Sequence, residues 1–398
     1  MNTTLKKNLS IVLRLAVAAA GIAYVAYTLN WHDAVVLPAG YDVAGAVSLP
    51  HEQAFDVIAQ EGDDLTIDVS ALSLPIHDLT VLRDDLGSGT HEPRFKPGIL
   101  TTLSGADVKL LIAGFALMAI IFPIQGFRWL ILMRCRGLVV RYAKAFRLIM
   151  IGVFFNFCMP GSTGGDVVKA YYAAKGSGKR GEAVMSVVFD RISGLIGLVL
   201  LAGIVGLFML QDELARSAVI IIWTLFAGIL AVSGVYFSDR LRTRLGIDAF
   251  IARLSRFPLI QRIDETASAY RYNKLAVLGA TLVSLPVHLA NTFSMILAGY
   301  ALGLNTPVGL LLVVLPIVVL AAAIPISYQG LGVMEGLSLA FLLDPSIATA
   351  NQIVGMLLLF RIFLIMFGLL GALMMIGGDI HLHPQQASAD DDSQNAKT

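Results

Sequence analysis

The sequence predicts an all-α polytopic membrane protein. It is expected to have about six full spans, two oppositely inserted helical hairpins forming an inverted repeat, and a small extracytoplasmic β-rich insert. Three observations carry this expectation. The 398 residues are 57% hydrophobic and 14% charged, against about 25% charged in a soluble domain. Several apolar runs exceed the roughly 18 residues that mark a spanning helix. Two Pro/Gly breaks, Asn156 to Lys169 and Ile324 to Glu335, interrupt apolar sequence in corresponding positions, a pattern that points to a site near the bilayer midplane.

Residues 1–29 read as a membrane anchor. The apolar run covers about Leu9 to Thr28, after Lys6 and Lys7, and Arg14 sits where a long side chain snorkels to the interface. A cleaved signal peptide is the alternative. Ala18, Ala19 and Ala20 lie inside the apolar core rather than after it, which favours an uncleaved anchor. Residues 30–107 form a polar insert with thirteen Asp or Glu against Arg83, Arg94 and Lys96. Runs such as Leu65–Val69, set between Gly and Pro signals, predict short strands; an irregular acidic loop is the plain alternative.

The membrane core is expected over 108–378. Full spans are predicted at about Val108–Met133, Ala183–Leu210, Ser217–Phe237, Leu275–Leu302 and Ala350–Met375, and the hairpins at Phe146–Ala174 and Val308–Leu343. Residues 379–398 form a tail with Asp390, Asp391 and Asp392, expected to be disordered and cytoplasmic. The basic residues of Arg134–Arg147, the loop with Lys175, Lys179 and Arg180, and the loop from Arg240 to Lys274 predict the cytoplasmic side. Both termini are then cytoplasmic, in a cell inner membrane, with the acidic insert outside. The first hairpin is flanked by basic loops and enters from the cytoplasm; the second, bounded by Asn305 and Asp344, enters from outside.

A break at depth leaves backbone groups that only protein or water can satisfy. The helix that restarts after it offers free N–H groups and a positive dipole end, which favour anions such as phosphate. Gly161, Gly164 and Gly165, after Pro160 in the first break, and Gly330 and Gly332 in the second, would admit a ligand to the backbone; tight helix packing is the plain reading of the same glycines. Each break carries a carboxylate, Asp166 or Glu335. Each is followed by an arginine in the next span, Arg191 after 25 residues and Arg361 after 26. Arginine at depth costs about 2.5–3.5 kcal/mol on insertion scales, so it faces a partner or a cavity. Structural ion pairs, Asp166 with Arg191 and Glu335 with Arg361, are one reading. Cationic sites for a lipid phosphate are the other, since guanidinium grips phosphate in bidentate fashion.

Lys169 lies one turn from Asp166, so the two can pair, and Asp190 projects about 100° from Arg191 towards another contact. His288 and Asn291 read as polar glue between helices, and Arg128-Trp129 as an interfacial anchor. Cys135 and Cys158 suggest no disulfide framework, and no His/Cys cluster has zinc spacing. The residues present no nucleophile–His–Asp grouping, Walker loop or dinucleotide fingerprint. No metal, cofactor or nucleic-acid partner is expected, and a non-enzymatic role is favoured.

The run Asn156-x-x-x-Pro160-Gly161-x-x-Gly164-Gly165-Asp166-x-x-Lys169, the triplet Phe189-Asp190-Arg191 and the run Gly330-x-Gly332-x-x-Glu335 with Arg361 downstream resemble the lysylphosphatidylglycerol synthase transmembrane-region family, also called flippase-like integral membrane proteins. The resemblance covers about 108–378. Lys169 stands where many relatives carry Arg, and the second break is less rich in Gly and Pro than in relatives. The acidic insert lies outside the family core. The resemblance implies handling of membrane phospholipid or another polar lipid, in a member without the aminoacyltransferase domain. A translocase with a shared polar chamber between the hairpins is the first expectation. A membrane-embedded lipid-donor transferase is the second. A non-transporting accessory subunit, docking an envelope partner or a second copy through residues 30–107, is the third.

Overall fold

The structure is a computed structural model. It describes residues 16, 19–20, 22–44, 47–62, 64–72, 76–86, 92–158, 164–175, 179–209, 213–246, 253, 270, 273–323, 327–344 and 347–376. Most of the first predicted span and the whole tail lie outside these residues, as do Pro160, Gly161 and Pro325; the chain is helical at 22–28.

The insert contains a sheet. Strands β1 (Ala34–Leu37), β4 (Gln53–Glu61), β5 (Asp64–Asp68), β6 (Asp78–Leu82) and β7 (Arg94–Lys96) form an antiparallel sheet in the order β6-β5-β4-β1-β7; β2 (Asp42–Val43) and β3 (Val47–Ser48) pair separately. Alternation builds its core, because successive side chains point to opposite faces. Leu65 and Ile67 are fully buried between the half-buried Asp64, Thr66 and Asp68, and they join Val35, Leu37, Phe55 and Val81 in one cluster. The Ser70 N–H donates to the Asp68 carboxylate at 2.9 Å, and hydrogen bonding from Ser70 holds that carboxyl below its ordinary value.

The rest is helical: α1 (Ile99–Ser104), α2 (Val108–Arg134), α3 (Tyr142–Cys158), α4 (Gly164–Ala174), α5 (Arg180–Gly206), α6 (Glu213–Phe237), α7 (Asp239–Arg244), α8 (Lys274–Ala301), α9 (Val308–Ala323), α10 (Val333–Leu342) and α11 (Ala350–Ile376). Four of them, α2, α5, α8 and α11, are long and apolar enough to cross a membrane among the described residues. The chain is thus a mostly helical polytopic membrane protein. Of the other predicted full spans, the first is described only in part. The span at Ser217–Phe237 falls on the 25-residue α6, whose side chains are also described only in part.

Each predicted hairpin is a pair of packed short helices separated by a break. The first joins α3, 17 residues, to α4, 11 residues. The second joins α9, 16 residues, to α10, 10 residues. At 1.5 Å per residue the second arms reach only about 15 Å, half of a hydrocarbon core about 30 Å thick.

The chain divides into two compact units. One comprises Met1–Ile121, Gly194–Ser238 and Thr281–Phe363; the other comprises Phe122–Ser193, Asp239–Ala280 and Leu364–Thr398. The first holds the sheet and the α9–α10 hairpin, and Asn351 fastens the sheet's two ends. Its carboxamide accepts from the Asn30 N–H at 3.0 Å and donates to the carbonyls of Asn30 and Pro97, each at 2.9 Å. The Asp33 carboxylate seals the same junction by accepting from the Gly98 N–H at 2.6 Å and the Thr101 hydroxyl at 2.9 Å. In this unit the His288 ring meets the Gly194 carbonyl at 2.8 Å, tying α8 to α5. The second unit holds the α3–α4 hairpin. There Arg147 donates twice to the Met374 carbonyl, at 2.9 and 2.7 Å, and satisfies one of the orphan acceptors at the end of α11.

Asn351 is 1% exposed, and its loss takes the side-chain partner from the Asn30 N–H and the Pro97 carbonyl, at about 1–3 kcal/mol each, while the Asn30 carbonyl keeps the Ile99 N–H. Replacing Asn351 with Leu is expected to lower the unfolding temperature and to expose the junctions near Asn30 and Pro97 to limited proteolysis. Unchanged cleavage kinetics would contradict this fastening role.

Candidate functional site

The two carboxylates singled out by the sequence occupy the same position in their helices. Asp166 is the third residue of α4, and Glu335 the third of α10. The two arginines match as well. Arg191 and Arg361 each lie eleven residues after the first residue of a 27-residue helix, Arg180 in α5 and Ala350 in α11. That places both about 16 Å along their helices. The helix holding Arg191 starts at Arg180, one turn before the span expected from Ala183.

In the second unit the close approach of α3 and α4 comes first. A Cβ on Gly165 would collide with the Gly152 carbonyl oxygen and the Asn156 carboxamide, so only glycine permits it. The Asn156 side chain accepts from the Gly165 N–H at 2.9 Å and caps the first turn of α4 from the neighbouring arm. Lys169 lays its stem across Gly152, and its ammonium sits 5.5 Å from the centre of the Trp129 ring, in reach of a cation–π contact. From there it meets Asp166 at 2.9 Å and Asp190 at 3.6 Å. Arg191 pairs with the other Asp166 oxygen. Arg128 donates to Asp190 at 2.8 Å.

Arg128, Asp190, Lys169, Asp166 and Arg191 therefore form one chain of alternating charge. Among the described residues it contains three cations and two carboxylates. Its inner end is closed, with the Arg128 and Asp190 side chains 8% and 5% exposed. Its outer end is open, with Arg191 at 35% and Asp166 at 24%. Asp166 is thus a doubly held carboxylate in the first turn of α4, partly accessible at the open end of the chain.

The cluster in the first unit has a different character. Arg361 grips one Glu335 oxygen through two nitrogens, at 3.1 and 2.8 Å, and donates to the Gln329 carbonyl at 3.1 Å. The other Glu335 oxygen accepts from the Gly332 N–H at 2.8 Å, capping α10. The Arg361 and Glu335 side chains are 14% and 9% exposed. The pair is neutral, and it holds a strained turn. Gln329 has φ 53°, unusual for a residue with a side chain, and Gly330 has φ 70°. Gly330 also lies so close to Ala322 that an added Cβ would sit 2.6 Å from its methyl group.

Of the predicted site residues, Asn156, Gly164, Gly165, Asp166, Lys169, Asp190 and Arg191 come together in the second unit. Gly330, Gly332, Glu335 and Arg361 come together in the first. Pro160 and Gly161 lie outside the described residues. The reading of Arg128-Trp129 as an interfacial anchor is overturned. Trp129 is fully buried and donates to the Ser186 hydroxyl at 3.1 Å. Arg128 belongs to the charge chain. The available signal was a second arginine deep in an apolar run, which needs a carboxylate.

Breaking a buried ion pair costs more than replacing it whole. Arg361→Leu alone is expected to cost about 3–5 kcal/mol of stability, by leaving Glu335 buried and unpaired. The double replacement Glu335→Leu, Arg361→Leu should cost less than that single change. Thermal unfolding in detergent, read as a double-mutant cycle, checks this; additive losses would show that the pair does not hold the turn.

Comparison with known proteins fits this architecture. The family model for the lysylphosphatidylglycerol synthase TM region matches residues 98–372, a range that includes both clusters. UPF0104 membrane protein MJ1595 of Methanocaldococcus jannaschii is 22% identical over 271 residues, which is 63% of this chain and 81% of that protein. UPF0104 membrane protein PH1989 of Pyrococcus horikoshii is 27% identical over 156 residues, or 38% of this chain. The chain spans 46% of that relative's length. With its helical breaks, their acids and the arginines that answer them all inside the matched range, the chain belongs to the lysylphosphatidylglycerol synthase transmembrane-region family.

Proposed function

We propose that this protein binds the anionic headgroup of a phospholipid or polyprenyl-phosphate lipid within the membrane and carries it across the bilayer. The observation that supports this reading best is the state of Asp166, a carboxylate held by both Lys169 and Arg191 at the first turn of α4. An arriving phosphate competes for the same two cations, beside the positive end of the α4 dipole. Asp166 then serves as the resident anion of the empty site. It offsets part of the Lys169 and Arg191 charge at depth until the headgroup takes its place.

The hairpins are read as an inverted repeat, one entering from each face. The matched arm lengths, third-position acids and mid-helix arginines support that reading, because transporter folds duplicate half-helices in this way. The basic loops support an inner-membrane orientation with both termini cytoplasmic. Movement is downhill or ion-coupled.

Proteoliposomes with headgroup-labelled phospholipid in one leaflet test the reading. Arg191→Gln is expected to slow loss of lipid sidedness at least about tenfold, because a charge-assisted contact worth roughly 1.5–3 kcal/mol is removed. Lys169→Arg keeps the cation but replaces a compact charge with a planar fork, and is expected to slow the loss less than Arg191→Gln does. Equal rates for wild type and Arg191→Gln, with both proteins monodisperse and helical, would discard the assigned role.

A further inference from the structure

One face of α2 carries a feature that the charge clusters do not use. Pro123, Ile124, Phe127 and Leu130 recur there at helical spacing, and with Arg134 and Tyr142 they line an open groove of about 540 Å³. Leu130 is buried and forms its floor, while Phe127 and Tyr142 remain 51% and 40% exposed. The Tyr142 hydroxyl donates to the Pro123 carbonyl at 3.0 Å, so its polar tip is turned inward. Among the lining residues the cation is Arg134, the last residue of α2. The groove is thus apolar along the helix and cationic at one end.

We propose that this groove is a binding site for an anionic glycerophospholipid, with one acyl chain along Pro123 to Leu130 and the phosphate on the Arg134 guanidinium. Two arguments select this occupant. The polarity matches, because an acyl chain ending in a phosphate has the same order of apolar length and anionic end, and guanidinium favours phosphate. The size also matches. A helix about 10 Å across and 5.4 Å per turn would fill the groove with little more than one turn, whereas a single acyl chain is slender enough to lie along it. This lipid is a resident held at the surface of α2, distinct from the headgroup exchanged at Asp166.

The test uses the full-length protein in liposomes with dibrominated acyl chains, which quench nearby tryptophan. Phe127→Trp puts a reporter in the groove, and the signal of Trp31, Trp129 and Trp223 is subtracted with wild type. Dibrominated phosphatidylglycerol is expected to bind about fivefold tighter than dibrominated phosphatidylcholine at this reporter, the effect of one basic residue near the membrane surface. Arg134→Gln should abolish the preference and Arg134→Lys restore much of it. A control reporter, Leu373→Trp, on an exposed position of α11, should show none. Equal quenching by the two lipids at the groove reporter, an unchanged preference in Arg134→Gln, or the same preference at the α11 control would each overturn the site. In an Arg191→Gln background the preference should persist, so failure of the translocation reading is told apart from failure of this one.

Discussion

A guanidinium halfway along an apolar helix must find its counter-charge within the reach of one side chain. Much of the membrane core follows from that constraint. A partner carboxylate at the same depth must come from another element, and a full-length helix carrying it would bury a second charge in mid-span. A short helix that begins at depth solves both problems. Its first turn needs an acceptor for free N–H groups; Glu335 caps α10 itself while facing its arginine, whereas in α4 Asn156 caps and Asp166 faces the arginine. Asp166 and Glu335 both stand at the third position of their helices, and Arg191 and Arg361 both answer them.

The same device is tuned differently in the two units. Around Glu335 every charge is matched inside one neutral pair, and the arginine's remaining donor secures a carbonyl in a left-handed turn. That arrangement resists exchange, because a ligand would have to free Gln329 as well as Glu335. Around Asp166 the carboxylate is shared by two cations, one of which leans on the Trp129 ring and also reaches Asp190. Lys169 thus has Asp190 and the aromatic face as partners besides Asp166. The two breaks thus place their acids alike but pair them differently, one in a closed neutral pair and one in a partly accessible chain of charges.

Much of this was legible in the sequence, for physical reasons. The long apolar runs, the paired breaks and the separation of each acid from its arginine are one-dimensional signals. Leu65 to Val69 alternates as a strand must, and β5 covers Asp64–Asp68, one residue earlier at each end. Other features could not be read in one dimension. The order of the sheet depends on which strand ends meet, and β1 pairs with the distant β7. Trp129 looked interfacial because tryptophan beside arginine commonly is; only the packing of α2 against Ser186 and Lys169 buries it. Arg128 and Asp190 lie 62 residues apart, so the inner link of the charge chain had no local signature. The expectation for Asp190, that it turns away from Arg191 to another partner, followed from helical geometry alone.

The choice of lysine at position 169 bears on how the open cluster works. An arginine there would offer a planar fork, and a fork fits two oxygens of one partner. The lysine ammonium is a compact charge with three rotatable donors. It reaches two carboxylates and an aromatic face at once, which no single bidentate grip would allow. Its flexible stem, laid over the bare backbone of Gly152, lets the charge shift between Asp166 and Asp190 without moving the helix. The glycine contact and the lysine are therefore two parts of one arrangement: α3 and α4 approach closely enough to support the stem, and the stem gives the charge its freedom. A rigid bidentate pair in this place would resemble the Glu335–Arg361 lock. The lysine instead spreads its charge over Asp166, Asp190 and the Trp129 ring.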